Sequence, residues 1–528
     1  MNYNILFSLL LITVLLNAKM TLAQTEINVL PEPSEIISNG DSFILDKKLN
    51  IYLDSKANLD KIYISSIFRD IGFRTYFTGE SGANLVVLID NKTKTNNEGY
   101  ILSVENKRNH QITAKARFKE GLLYALQTTF QIINKTDFSI PVCTIKDEPA
   151  FHWREFMLDE SRHFQGMQTV KKLLDEMARL KMNIFHWHLV DDPGWRIEIL
   201  KYPALTEIGS NMDFSHSDYS TEDWKKAFPN YKMYYSQKEI REIVRYAEDR
   251  GITVVPEIEI PGHAYASILA YPWLGATSKR EGKGIRGDLY NVTDPEVEVF
   301  LQNVMNEIIN LFPSKIVHIG GDEANYTYWQ NNPSIVQFMK REGFSTFADL
   351  QVWSINRFSR FLKSKEVRMM GWNEITGDNI RGEAHMEAGK SENLNSGTIV
   401  QFWDGDINLV NKAIKKGYEV VNSNRHFTYL DYSYEAITLK KAYSFDPYPD
   451  GLKSKDKSKI LGLGCEMWGE HTPNIQRLYF QIFPRLAAYA ERGWTGNKKN
   501  DYNDFFKRFK IILEPIWRER NYLKDQPY

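Results

Sequence analysis

The chain has very little cysteine. Cys143 and Cys465 are the only two in 528 residues, which leaves no disulfide framework and no cysteine-built metal cluster. It also lacks a surplus of either charge, with 66 Lys and Arg against 67 Asp and Glu. Nucleic-acid binders carry a basic surplus or stripe, so a nucleic-acid partner is not expected. Beyond the N-terminus, no run approaches the roughly 18 uninterrupted apolar residues of a membrane helix, so no stable membrane span is expected. Internal repeats, low-complexity tracts and long linkers are missing too.

What is present begins with an apolar run, Ile5 to Leu16, broken only by Ser8 and Thr13. Ala23 follows Thr21 and Leu22, so residues 1–23 read as a signal peptide cleaved before Gln24. This implies export, to a periplasm or the extracellular space. No cysteine near the cleavage point supports a lipid anchor. Aromatic residues make up 13 % of the chain, including 12 Trp. Such rings build a large core, and they also stack well on sugar faces.

Two patterns divide the chain. Residues 25–148 read as a small α/β domain, with strands at Leu85–Ile89, Tyr100–Val104 and Gln111–Ala114. Asn106 to Asn109 turn the last two into a hairpin. A helix follows over Lys119–Ile133, with Leu122, Leu123, Leu126 and Phe130 at helical spacing. From 149 to 528, strands alternate with helices. The strands are Glu155–Asp159, Asn183–Leu189, Thr253–Ile258, Ile316–Ile319, Arg368–Trp372, Thr398–Trp403, Glu419–Asn422 and Ile460–Glu466. Helix starts are marked by Ser236 with Glu239, a capping box, by Asp294-Pro295 and by Asp406; the last of these helices stops at Gly417. Eight such units predict an α/β fold of the (β/α)8 TIM-barrel type, in which functional side chains gather at the C-terminal ends of the strands.

That expectation can be tested on the sequence, because polar and aromatic residues do follow each strand. They are Asp159 with Arg162 and His163; His188 with Asp191 and Asp192; Glu257, Glu259 and His263; Gly320-Gly321-Asp322-Glu323; Trp372-Asn373-Glu374; Trp403-Asp404; Tyr429 and Asp431; and Glu466, Trp468 and Glu470. The glycines at 320 and 321 free the backbone to leave the pleat, so that Asp322 and Glu323 can both face one space. Two close carboxylates resist double ionisation, which raises one pKa and makes that group an acid. A bare Gly-Gly-Asp-Glu is equally compatible with a solvated acidic turn. Trp372, Trp403 and Trp468 can wall a pocket for a sugar ring and a small apolar group. His186 and His188 share one strand face and read either as a metal pair or as hydrogen-bonded core histidines. The carboxylates and tryptophans around them favour the second reading, with no metal.

These residues resemble glycoside hydrolase family 20, the β-N-acetylhexosaminidases, over nearly the whole mature chain. Asp147–Phe164 (DEPAFHWREFMLDESRHF) is similar to the opening of that catalytic domain. KMNIFHWHLVDDPGWRI from Lys181, VPEIEIPGH from Val255 and HIGGDE from His318 are similar to its central motifs. GWNE from Gly371, YLD from Tyr429 and EMWGE from Glu466 match later ones. The resemblance implies an exo-acting retaining hydrolase in which the substrate's acetamide is the nucleophile, an exception to the two-carboxylate scheme. It implies Glu323 as acid/base, Asp322 as the group orienting the acetamide, and Tyr429 as donor to the acetamide oxygen. Trp372, Trp403 and Trp468 would be the pocket walls, and Arg162, Asp431 and Glu470 contacts to sugar hydroxyls. Asp191 and His263 would tune the acid. The implied partner is a glycan ending in N-acetylhexosamine, no cofactor is implied, and the oligomeric state is left open. Four residues depart from the family pattern: Glu155 in place of Gly, Pro193 of Gln, Glu259 of Asp, and Ala324 of Val. Pro193 and Glu259 are expected near the rim, and the loop 206–234 is expected to shape outer subsites. The competing readings are a relative with another cleavage preference (disaccharide-releasing or specific for sulfated sugars), a catalytically silent glycan binder, and a metal-dependent hydrolase.

Overall fold

The computed structural model describes residues 26–210, 233–277, 287–378, 388 and 393–528. The expected signal peptide and residues 211–232 of the expected outer loop lie outside the described residues.

Seven strands build the first sheet: β1 (Glu35–Ile44), β2 (Lys48–Leu53), β3 (Arg74–Phe77), β4 (Leu85–Ile89), β5 (Tyr100–Val104), β6 (Ile112–Ala116) and β7 (Ser139–Asp147). Their order is β1-β7-β5-β6-β4-β2-β3. The β5–β6 hairpin is antiparallel as expected, and the helix after it runs over Lys119–Ile132. Four strands were not foreseen, for local reasons. β1 is half exposed, carries Asn39-Gly40-Asp41 and shifts register between Ser38 and Ser42. β7 contains Pro141, a residue that argues against a strand interior. β2 and β3 are short and flank a helix at Lys61–Arg69 that was also missed.

The barrel closes from β8 (Trp153–Asp159) and β9 (Ile184–His188) through β12 (Thr253–Glu257), β13 (Ile316–His318), β14 (Arg368–Trp372), β15 (Ile399–Phe402), β16 (Glu419–Asn422) and β17 (Ile460–Met467), back to β8. All neighbours are parallel. Every expected strand forms, with ends displaced by two residues at most. The cap signals hold as well. Ser236 and Glu239 make a reciprocal capping box, Asp294 accepts the Glu296 N–H at 3.0 Å, and Asp406 accepts the Asn408 N–H at 2.9 Å. A two-residue pair, β10 (Val190–Asp191) with β11 (Gly194–Trp195), follows β9 and fixes Asp191.

The barrel interior is layered. Trp153, Ile184, Val255, Met370, Ile399 and Val421 form an apolar plug. Two residues further along their strands stand Glu155, His186, Glu257, Gln401 and Ser423, all fully buried. A polar layer of this kind is tolerable only when its groups satisfy one another. Several of them do: His186 Nδ1 lies 2.9 Å from Glu155, and Gln401 donates to Glu155 at 2.8 Å and to Ser423 at 2.9 Å. The site sits on top of this layer.

The first sheet is tied to the barrel by buried charge. Arg154 of β8, fully buried, pairs with Glu98 at 2.6 Å and donates to the Tyr124 hydroxyl at 2.9 Å. Lys181 reaches Asp147 at 3.1 Å, and Asp147 also accepts from Trp494 and Tyr100. Arg154→Met leaves Glu98 without its guanidinium, and the predicted loss is about 3–5 kcal/mol of stability, as for removal of one partner from a buried pair. Urea unfolding checks it; a loss below about 1 kcal/mol, the range of an exposed pair, would contradict it.

Candidate active site

A pocket of about 270 Å³ opens at the C-terminal ends of the barrel strands. It is lined by Arg162, His263, Asp322, Glu323, Trp372, Trp403, Tyr429, Asp431, Trp468 and Glu470, together with Arg425, Tyr432 and His471. Ten of the eleven candidate residues therefore share one space. The eleventh, Asp191, lies directly beneath, 3.1 Å from His263 Nδ1 and 2.7 Å from Arg162 Nη2.

The carboxylate pair owes its position to backbone that only small residues allow. After β13, Gly320 and Gly321 have φ of +65° and +97°, and Glu323 itself has φ of +49°. A Cβ at 321 would come within 2.4 Å of Ile375, and one at 320 within 1.7 Å of Glu259. Bonds to its carbonyls hold the turn: Trp372 N–H donates to Gly320 O at 2.9 Å, and the Gln351 side-chain amide Nε2 donates to Gly321 O at 2.8 Å. The two carboxylates end in different surroundings. Asp322 is 8 % exposed, while the Glu323 side chain is 36 % exposed and faces the opening. His263 Nε2 stands 3.4 Å from Asp322 and 3.7 Å from Glu323.

Below the pair runs a chain of ionic contacts. Burial alone would lower the pKa of His263, but Asp191 and Asp322 hold it well above the ordinary imidazole value. Burial would raise Asp191, but Arg162 and His263 hold it well below the carboxylate range. His188 Nε2 meets Asp191 at 3.0 Å, and the other nitrogen of His188 meets Glu257. Glu257 also faces His186 at 3.0 Å and His318 at 2.8 Å, and accepts the Trp372 indole N–H at 2.8 Å. Against burial, His318, His188 and His186 keep Glu257 ionised far below the usual carboxylate pKa. Both ring nitrogens of His186 and of His188 face carboxylates.

The aromatic walls form a cluster apart from the main core. Trp403 and Tyr429 are nearly parallel, with centroids 6.2 Å apart. Trp468 lies 5.8 Å from Trp372 and 6.0 Å from Tyr429. Trp403 donates to Glu374 at 2.9 Å, which fixes the plane of its ring. Opposite, Arg162 reaches Asp159 at 3.1 Å and Glu470 at 3.5 Å while lying over the Trp468 ring. The arrangement offers one exposed carboxylic group, one recessed carboxylate, an apolar slot with a hydroxyl, and a charged rim able to bind hydroxyl groups.

Not every strand-end residue reaches the pocket. Glu257 and Glu466 are buried within the barrel, and His163 turns away to Gly469 O at 2.5 Å. Glu259, expected near the rim, is instead 2 % exposed and lies under the Gly320 turn. Space explains the correction, since the absent side chain at 320 leaves room only there. Three lining residues were missed. Arg425 pairs with Asp404 at 2.8 Å and donates to the Tyr432 hydroxyl at 3.1 Å, and His471 follows Glu470. Their adjacency to Asp431, Glu470 and the end of β16 was the only available signal.

Asp431 yields a pH prediction. Burial first, then the Glu470 charge, push its pKa from 3.8 up to about 8. The unfolded chain releases this proton near 3.8 and the folded chain near 8, so folded-state stability falls as pH rises across that window. Asn cannot ionise. In thermal melts, Asp431→Asn is therefore predicted to gain on the wild type steadily as pH rises from about 4 to 8. A difference in Tm independent of pH would contradict it.

Comparison with known proteins fits this geometry. The family described as glycosyl hydrolase family 20, catalytic domain, matches residues 151–497, and glycosyl hydrolase family 20, domain 2, matches residues 26–148. A beta-hexosaminidase of Porphyromonas gingivalis is 33 % identical over 515 residues, covering 91 % of this chain; the chain spans 62 % of that relative's length. Among solved structures, the beta-N-acetylhexosaminidase of Bacteroides fragilis superposes with a TM-score of 0.79 at 27 % identity, covering 95 % of this chain and 97 % of its own. The exo beta-N-acetylglucosaminidase of Vibrio harveyi, in complex with N-acetylglucosamine, gives 0.80 at 28 %, covering 94 % of this chain and 78 % of its own.

Proposed function

This chain belongs to glycosyl hydrolase family 20, and from that membership we propose that it is an exo-acting, retaining β-N-acetylhexosaminidase that removes terminal β-linked GlcNAc or GalNAc from glycans. The observation that carries the reading is one pocket joining Asp322, Glu323, Tyr429 and three tryptophans. N-acetylglucosamine, the sugar held by the Vibrio harveyi relative, has the acetamide that such a slot would accept. A pocket of about 270 Å³ is of single-sugar size, which favours removal of one terminal residue over cleavage within a chain. The apolar run Ile5 to Leu16 supports action outside the cytoplasm.

The proposed steps use the roles that the family resemblance implies for these groups. Trp372, Trp403 and Trp468 enclose the acetamide methyl and press its carbonyl oxygen toward the anomeric carbon. Asp322, recessed and backed by His263, accepts the acetamide N–H and opposes the positive charge that develops as the carbonyl attacks. Tyr429 donates to the acetamide oxygen. Glu323, the more exposed of the pair, protonates the departing oxygen and then takes a proton from the water that opens the cyclic intermediate. The acetamide acts as the nucleophile, so the protein supplies none. Arg162 and Glu470 fix ring hydroxyls through charge-assisted bonds, and Asp431, which keeps its proton in the free pocket, adds a neutral hydrogen-bonding group. Asp191 keeps His263 protonated, and His263 places that positive charge 3.7 Å from Glu323.

The test is release of an aryl alcohol from its β-N-acetylglucosaminide. Hydrolysis is expected there and none from the matching β-glucoside, which has no acetamide; equal rates on the two would contradict the reading. Glu323→Gln is predicted to lose turnover mainly on substrates with poor leaving groups, where acid help matters most. Uniform losses across a leaving-group series would remove Glu323 from the acid role.

A further inference from the structure

Glu259 lies beside the site and takes no part in the steps above. It follows β12, is 2 % exposed, and neither of its carboxyl oxygens has a hydrogen-bond partner among the described residues. Its carboxyl group fills the volume that a side chain at 320 would need: a Cβ there would stand 1.7 Å from Oε2 and 2.2 Å from Cδ. The titratable groups facing it come from several elements. His188 Nδ1 of β9 is 3.9 Å away, and atoms of His188 and Asp191 lie within 4.8 Å of it and of each other. Asp322, Glu257 and His263 add their charges, and Tyr290 is a further neighbour.

Two physical consequences follow. An ionised carboxylate buried with no donor is strongly disfavoured, and here the charges of Asp322, Glu257 and Asp191 oppose it as well. The turn at Gly320 and Gly321, with positive φ at three of the four residues 320–323, is costly backbone that persists only when its surroundings enforce it. Glu259 is the side chain pressed against its first residue.

We propose that Glu259 is a positioning residue: an uncharged carboxylic acid wedged into the space that glycine leaves at 320, which holds the turn presenting Asp322 and Glu323 and leaves the negative charge beneath the sugar to Asp322. Burial, then the neighbouring Asp322 and Glu257, keep its proton in place well above the usual carboxylate range, His263 opposing. An Asp at this position would reach one methylene less far toward Gly320, so the wedge depends on the length of Glu259. The catalytic part of the inference rests on the function proposed above; the proton on Glu259 does not.

Two variants and one spectrum test it. Glu259→Gln keeps shape without charge, and its kcat is expected within about threefold of wild type, as for a near-isosteric exchange. Glu259→Ala empties the wedge, and kcat is expected to fall on the order of 10-fold to 10²-fold with KM little changed, as a displaced reacting group costs rate rather than binding. Difference infrared spectroscopy of wild type against Glu259→Gln at neutral pH is expected to show loss of a protonated carboxylic C=O stretch. Gln failing as badly as Ala, Ala matching wild type, or loss of carboxylate bands in place of the acid band would each overturn the proposal. Wild type inactive on every β-N-acetylhexosaminide would overturn the function instead, and the infrared result would still decide the state of Glu259.

Discussion

Glu257 is a carboxylate with no access to water, placed in the middle of a barrel, and most of the upper structure can be traced to how that charge is compensated. Three imidazoles and one indole N–H converge on its two oxygens. A lone buried carboxylate would cost several kcal/mol; surrounded in this way it becomes an anchor. The indole is that of Trp372, so the wall of the pocket is aimed from below. One of the imidazoles is that of His188, whose second nitrogen meets Asp191. Asp191 meets His263, and His263 stands between Asp322 and Glu323. The proposed acid and its partner are thus the upper end of a line of alternating charges that begins inside the barrel.

The line also explains why the two adjacent carboxylates need not compete. Asp322 is recessed and faces His263, whereas Glu323 is turned toward the opening by its own positive φ. Adjacent residues on a regular strand would point to opposite faces. The turn at Gly320 and Gly321 replaces that alternation with convergence, at a cost in backbone strain that the packing of Ile375 and Glu259 against the two glycines helps to contain. Polar compensation below and steric enforcement beside the turn act on the same few atoms.

Much of this was legible in the sequence because each barrel unit is read from local signals. The bounds of β14 and β16 match the sequence pattern to the residue, and the Ser236–Glu239 capping box is legible from its spacing alone. The clustering of Asp322, Tyr429 and the tryptophans followed from barrel geometry alone, since strand ends converge whatever lies between them. Tertiary position was harder to read. Position just past a strand end puts Glu259 near the rim, and only the space beside Gly320 reveals where its side chain goes. β1 and β7 were missed because turn residues and a proline interrupt their pattern, and pairing with each other overrides it. Arg425 takes its place through Asp404, a contact between the ends of two strands that no spacing discloses.

The central claim is that the substrate's acetamide attacks from within the tryptophan slot while Asp322 holds it and Glu323 moves the protons. Two successive displacements at one carbon restore the starting configuration. Proton NMR of the first-formed sugar during hydrolysis of an aryl β-N-acetylglucosaminide reads this directly, before mutarotation mixes the anomers. The account predicts the β-anomer first; the α-anomer first would mean a single direct displacement by water and would contradict it.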